Sequence, residues 1–157
     1  MGSSSRPPED RAFERALRTL NRRERTTAEL AAWLAERGFT PATVDAVLDR
    51  LTETGGLDDA RFARIYAEDK RELAGWGAER IRTQLHARGV APGLIDAALR
   101  AVTSEGEAER ATALLAKRGA PLDGDAARGR ALAFLLRRGY PSEVAYDAVR
   151  RAGRAAA

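Results

Sequence analysis

Three stretches of the chain read alike: "LAAWLAERGFTPATVDAVLDRL" from Leu30, "IRTQLHARGVAPGLIDAALRAV" from Ile81 and "ALAFLLRRGYPSEVAYDAVRRA" from Ala131. Each holds an Arg-Gly pair, then Phe, Val or Tyr, then a proline. The glycines are Gly38, Gly89 and Gly139, so their separations are 51 and 50 residues. A fixed period near fifty residues is the mark of tandem supersecondary units.

The physics of the shared segment is that of a helix, a tight turn and a second helix. Glycine after a last helical turn adopts the left-handed backbone that ends a helix without strain. A proline at the first position of the next helix gives up an N–H that had no intrahelical partner anyway. After Gly38, the residues Val44, Val47, Leu48 and Leu51 recur at helical spacing. After Gly89 the set is Ile95, Ala98, Leu99 and Val102, and after Gly139 it is Ala145, Ala148, Val149 and Ala152. One further helix precedes each copy. Its apolar face carries Phe13, Leu17 and Leu20 in the first unit, Phe62, Ile65, Tyr66 and Leu73 in the second, and Ala111, Leu114 and Leu115 in the third.

The expected fold is therefore all-α: three tandem three-helix repeats forming an elongated, curved array. The repeats fall at 10–55, 56–104 and 105–153, between a disordered tail at 1–9 and a short tail at 154–157. Units this small bury little surface alone, so stacking between neighbours should matter. Composition agrees. Of 157 residues, 33 are alanine and only 6% are aromatic, which favours helix over sheet.

Composition also removes several kinds of chemistry. With no cysteine there is no disulfide, thiolate metal site or cysteine nucleophile. The one histidine, His86, makes neither a zinc site nor a histidine-based triad, and reads as a solvated side chain. No apolar run approaches the roughly 18 residues of a membrane span, and no signal-peptide pattern is present. A cytoplasmic protein without membrane contact is the expectation.

The paired aspartates of "LDDARF" pose the sharpest question about catalysis. They could hold a metal or act as an acid/base pair, for instance in a nuclease, but a metal needs more converging ligands. Glu68 and Asp69 lie nearly three helical turns away. Helix-start chemistry explains the pair better. Asp58 is placed as an N-cap, and Asp59 in the first turn, where negative charge suits the helix dipole. Leu57 and Phe62 fall at the positions of a hydrophobic staple. "TTAE", from Thr26 to Glu29, is a capping box. Gly75-Trp76-Gly77 lacks the Lys-Ser/Thr of a phosphate loop, so Gly77 is read as ending a turn, and Trp33 as core.

The net charge of +4 is uneven. Residues 105–157 hold 10 basic and 7 acidic side chains, while 1–56 hold 9 of each. Within the balanced first unit, Arg11, Arg15, Arg18 and Arg22 form a stripe at helical spacing, followed by Arg23 and Arg25 in the turn. A charged stripe is often a solvated face, but this one contains no carboxylate and is the best candidate to meet an anionic partner. Arg64 with Arg71, and Arg130 with Arg137, are weaker pairs. A helix-turn-helix transcription factor is the competing idea. It would push Asp45, Asp49 and Glu53 of the first unit's third helix against phosphate.

Three segments carry a family resemblance: "RRERTTAEL" (Arg22–Leu30), "GGLDDARFARIYAEDKR" (Gly55–Arg71) and "GAERIRTQLHARGV" (Gly77–Val90). Leu57, Asp58, Asp59, Phe62 and Ala63, then Gly77, Ile81, Leu85 and Gly89, resemble the RecX family in order and spacing. The likeness spans roughly residues 11–151 and is loosest in the third unit. It implies an all-helical protein that binds the RecA–DNA filament and restrains its ATPase, coprotease and strand-exchange activities, with weak DNA binding in some members. It implies no catalytic residue and no cofactor. A monomer is expected.

Overall fold

The computed structural model describes residues 6–155; residues 1–5 and 156–157, within the expected tails, lie outside them. Among the described residues there are nine α-helices in three groups of three. Unit 1 holds α1 (Pro8–Arg22), α2 (Thr27–Ala35) and α3 (Pro41–Glu53). Unit 2 holds α4 (Asp59–Glu72), α5 (Ala78–Ala87) and α6 (Pro92–Leu99). Unit 3 holds α7 (Ser104–Arg118), α8 (Asp125–Arg137) and α9 (Ser142–Ala155).

Each unit encloses its own core. Leu30, Leu34, Val47 and Leu51 centre the first, Ile81, Leu85 and Ile95 the second, and Leu135, Ala145 and Ala148 the third. The main helix–helix packing lies inside units, with the third helix against the first two. The chain exposes 9762 Å² at 17.0 kDa, where a compact monomer of that mass exposes about 7,700 Å². Separate small cores in a row produce that excess, and the array is elongated.

The turns follow the expected chemistry. Gly38, Gly89 and Gly139 all have positive φ, from +80° to +88°. Prolines occupy the first turn of α1, α3 and α6. Thr26 and Glu29 form the capping box in full. Asp58 accepts the Arg61 N–H at 3.0 Å, capping α4.

Several expectations need correction. Helix α1 opens at Pro8, within the segment assigned to a tail, because proline is tolerated there and Glu9 and Asp10 favour the dipole. At the other end α9 runs to Ala155, past the expected boundary at 153. The buried residues of α1 are Ala12, Ala16 and Thr19, with Phe13 and Leu20 at the flank and Leu17 exposed. Small side chains let α1 approach α3 closely, and larger ones seal the sides. Leu73 stands just beyond α4 and is exposed. Leu57 and Phe62 do not form a staple: Leu57 sinks into the core of unit 1, Phe62 into that of unit 2. The residue between repeats is shared by sequence with one and by packing with the other.

Candidate functional sites: a basic end and two matching joints

The units meet through two joints of one design. In the first, Thr26 at the start of α2 donates its hydroxyl to the Arg88 carbonyl at 2.6 Å. The Thr27 N–H donates to Asp59 Oδ1 at 2.8 Å, and the Thr27 hydroxyl reaches the same oxygen at 3.1 Å. Arg88 grips Glu29 with two guanidinium bonds, 2.6 and 3.0 Å. In the second joint, one period later, the Gly77 N–H at the start of α5 donates to the Arg138 carbonyl at 2.8 Å, and the Glu79 N–H to the Gly139 carbonyl at 3.1 Å. The Ala78 N–H donates to Glu107 Oε1 at 2.7 Å. Tyr140 adds a hydroxyl bond to the Gly75 carbonyl at 3.1 Å.

The two joints share a plan but not every residue: Arg88 pairs with Glu29, whereas Arg138 donates to the Ala74 carbonyl. The Arg-Gly turn of one unit covers the start of the previous unit's middle helix. A carboxylate from the next unit's first helix takes the leading helical N–H, Asp59 in one case and Glu107 in the other. Helix starts leave N–H groups without intrahelical partners, and here the neighbouring unit satisfies them. Helix α5 has no side-chain cap of its own; unit 3 supplies the acceptors. The glycines have a second duty. A Cβ on Gly89 would stand under 3.0 Å from the Ala28 Cβ, and one on Gly139 about as close to the Arg80 backbone.

The joint carboxylates differ in charge balance. Burial alone would raise Glu29, but Arg88 and the Thr26 N–H overcome it and hold the carboxyl below its usual 4.5. Arg88 rises in turn through its bonds to Glu29. Burial pushes Glu107 above 4.5, and the Ala78 N–H offsets this only in part. Burial and the nearby Glu107 charge also raise Tyr140.

The expected Arg stripe becomes a groove on unit 1. Arg15, Arg18, Arg22, Arg23, Arg25 and Arg37 line about 580 Å³ around Trp33. The Arg37 guanidinium lies over the Trp33 ring at 3.6 Å and Arg25 at 5.8 Å. Arg25 is further held by the Thr19 hydroxyl at 3.2 Å. Among the described residues, none of Arg15, Arg18, Arg22, Arg23 or Arg25 forms an ion pair; Arg37 has only Glu36, at 3.9 Å. Arg11 is exposed on the same helix outside this lining. Guanidinium groups fixed by stacking and without carboxylate partners suit phosphate or carboxylate.

The weaker pairs are not brought together. Arg64 joins Arg61 and Arg100 on a groove between α4 and α6. Arg71 joins Arg110, Lys117, Arg118 and Arg138 between units 2 and 3, where Glu72 pairs with Arg110 at 3.1 Å. Arg130 lies beside the α7–α8 connection, and the Arg137 carbonyl accepts a bond from Arg80. Trp33 is half-buried: it packs against the core of unit 1 and also serves as the platform for Arg37 and Arg25. Gly77 is buried in a joint as well as starting a helix. Sequence reasoning missed Arg37, though its position four residues after Trp33 was the available signal. It also missed Glu107, for which no local signal existed.

Among the described residues no group of three or more His, Cys, Asp or Glu side chains could hold a metal, and no helix is long and apolar enough to cross a membrane. Asp58 and Asp59 are engaged in caps. What the fold and these sites define is a modular all-α protein of three-helix units, with a cationic groove on the first.

Comparison with known proteins specifies the class. The domain described as "RecX, first three-helix domain" matches residues 12–51, and "RecX, second three-helix domain" matches residues 58–99. The regulatory protein RecX of Mycobacterium ulcerans is 40% identical over 152 residues, covering 94% of this chain and 88% of its own. That of Halorhodospira halophila is 40% identical over 142 residues, covering 90% and 85%. The crystal structure of RecX from Lactobacillus salivarius superposes with a TM-score of 0.82 at 18% identity, covering 92% of this chain and 96% of that one, and shows the shared fold. The chain belongs to the RecX family of regulatory proteins.

Proposed function

We propose that the protein is a cytoplasmic regulator, not an enzyme, that binds the RecA–DNA filament as a monomer and restrains its recombinase, ATPase and coprotease activities. The observation that carries this reading is the unneutralised arginine groove at one end of an elongated modular array in a RecX family member. The arginines Arg11, Arg15, Arg18, Arg22, Arg23 and Arg25 supply the strongest anionic contact. Arg64, Arg71, Arg130 and Arg137 supply weaker ones along the array, and weak contacts at separate places add through multivalency. Direct, weak binding to single- or double-stranded DNA belongs to the same groove.

Addition of the protein to RecA filaments should slow ATP hydrolysis and strand exchange; no effect at saturating protein rejects the proposal. Replacing Arg15, Arg18, Arg22 and Arg25 with Ser should weaken filament binding at least tenfold and flatten its salt dependence, since fewer counterions are released, with helicity unchanged. The alternative of a sequence-reading transcription factor is disfavoured by α3, whose Asp45, Asp49 and Glu53 are all exposed.

A further inference from the structure

The two joints leave a remainder. Each is made by the Arg-Gly turn between a unit's second and third helices, and the three units each have one there. Arg88-Gly89 covers the start of α2, and Arg138-Gly139 covers the start of α5. Arg37-Gly38 has the same backbone, with Gly38 at φ +83°, yet among the described residues no helix start stands against it. A Cβ on Gly38 would meet nothing within 4 Å, whereas on Gly89 or Gly139 it would collide with a neighbouring unit. The Arg37 guanidinium, whose counterpart Arg88 holds Glu29 with two bonds, here rests on the Trp33 ring and donates to the Trp33 carbonyl at 2.9 Å, with Glu36, at 3.9 Å, as its one carboxylate among the described residues.

We infer that the Arg37–Gly38–Phe39 turn is an open half-joint that accepts the first turn of an acidic helix from a partner protein. The internal joints define the occupant's chemistry. The turn's carbonyls receive the leading N–H or hydroxyl groups of a helix start, and the glycine lets that helix approach closely. In the first joint the arginine takes a carboxylate at the third helical position, as Arg88 takes Glu29. The arginine groove beside this turn selects for acidic flanks. A second copy of the chain is a poor occupant. Among the described residues its uncovered middle-helix start is that of α8, which opens with Asp125 but has Ala127 at the third helical position, where α2 offers Glu29 to Arg88, and Arg128 and Arg130 follow. Nucleic acid would satisfy the arginines but not the backbone of the turn. The inference rests on the binding role proposed above and names the partner chemistry at the Arg37–Gly38–Phe39 turn.

The test uses the full chain, 15N-labelled, and a stapled helix, acetylated and C-terminally amidated, reproducing residues 26–35 ("TTAELAAWLA"), whose only charge is Glu29. Saturable amide shifts at Arg37, Gly38 and Phe39 are expected. Affinity should fall at least fivefold for the same helix carrying Glu29→Ala, and for the full-length Arg37→Ala variant. The Gly38→Asn variant should lose binding: asparagine tolerates the left-handed backbone, so unit 1 persists, while the added side chain blocks close approach. Unchanged thermal melting of Gly38→Asn checks the first point, and Arg37→Ala decides the matter if that variant unfolds. No shift at these amides up to millimolar helix overturns the inference, as does equal binding by Gly38→Asn. Shifts at the turn produced by an oligo-dT strand but not by the helix, or concentration-dependent self-association in sedimentation, would assign the turn to the other occupants and overturn it too. None of these measurements contains RecA. Absence of filament inhibition by the wild-type protein would therefore reject the filament reading while the titration still decided the half-joint.

Discussion

Asp58 and Asp59 are adjacent, acidic and at the start of one helix, yet they do different work. Asp58 caps its own helix, so Asp58→Ala should lower stability by about 1 kcal/mol, as lost N-caps do. Asp59 points backwards to α2 and takes both the N–H and the hydroxyl of Thr27. Its removal leaves a partly buried helix-start N–H without a partner, at a cost of about 1–3 kcal/mol. Urea melts of the two alanine variants should rank Asp59→Ala as the more damaging; the reverse order would place the weight on the local cap instead. The local cap was legible in sequence because N-capping is set by residues within one turn. The role of Asp59 was not, because its partner is 32 residues away and only the joint brings them together.

At the level of helices, the glycines of the repeat were readable as turn-formers, and that reading holds for all three. Their second role, as contact surfaces, depends on what lies opposite, and the period alone does not contain it. The same limit explains why Leu57 and Phe62 matched a staple in spacing but went to different cores. Gly77 isolates the contact role, since its φ of −80° suits any residue. A Cβ there would stand under 3.0 Å from the Gly139 backbone and 2.5 Å from the Tyr140 nitrogen. Gly77→Ala should therefore open the second joint while α5 itself remains helical, with a penalty of about 1–3 kcal/mol, the usual range for overpacking. Circular dichroism should show unchanged helicity at low temperature, and amide exchange should accelerate at Ala78 and Glu79. Acceleration spread evenly over unit 2 would instead mean that the unit had lost its core.

Across the whole molecule, two joints of one geometry carry opposite electrostatics. Glu29 sits below its usual 4.5 because Arg88 and the Thr26 N–H favour its ionised form against the opposing effect of burial. A lowered carboxyl pKa stabilises the folded state above the unfolded value and stops doing so as pH falls through the folded one. Glu107 sits above 4.5 because burial disfavours its charge. Its contribution is complete below the unfolded value and is lost as pH rises through the folded one. Acidification from neutral pH should thus tighten the joint between units 2 and 3 before it loosens the joint between units 1 and 2. Amide exchange, corrected for intrinsic rates, should show protection at Ala78 rising on the acid side of neutrality and protection at Thr27 falling only below about 4.5. Glu107→Gln keeps an oxygen to accept the Ala78 N–H but removes the titration. It should raise stability at neutral pH and flatten the response of the second joint without touching the first. A flat wild-type profile at Ala78 would mean that Glu107 is solvated well enough to ionise freely. The two ends of the array would then differ in their arginines but not in how firmly each is hinged to the middle.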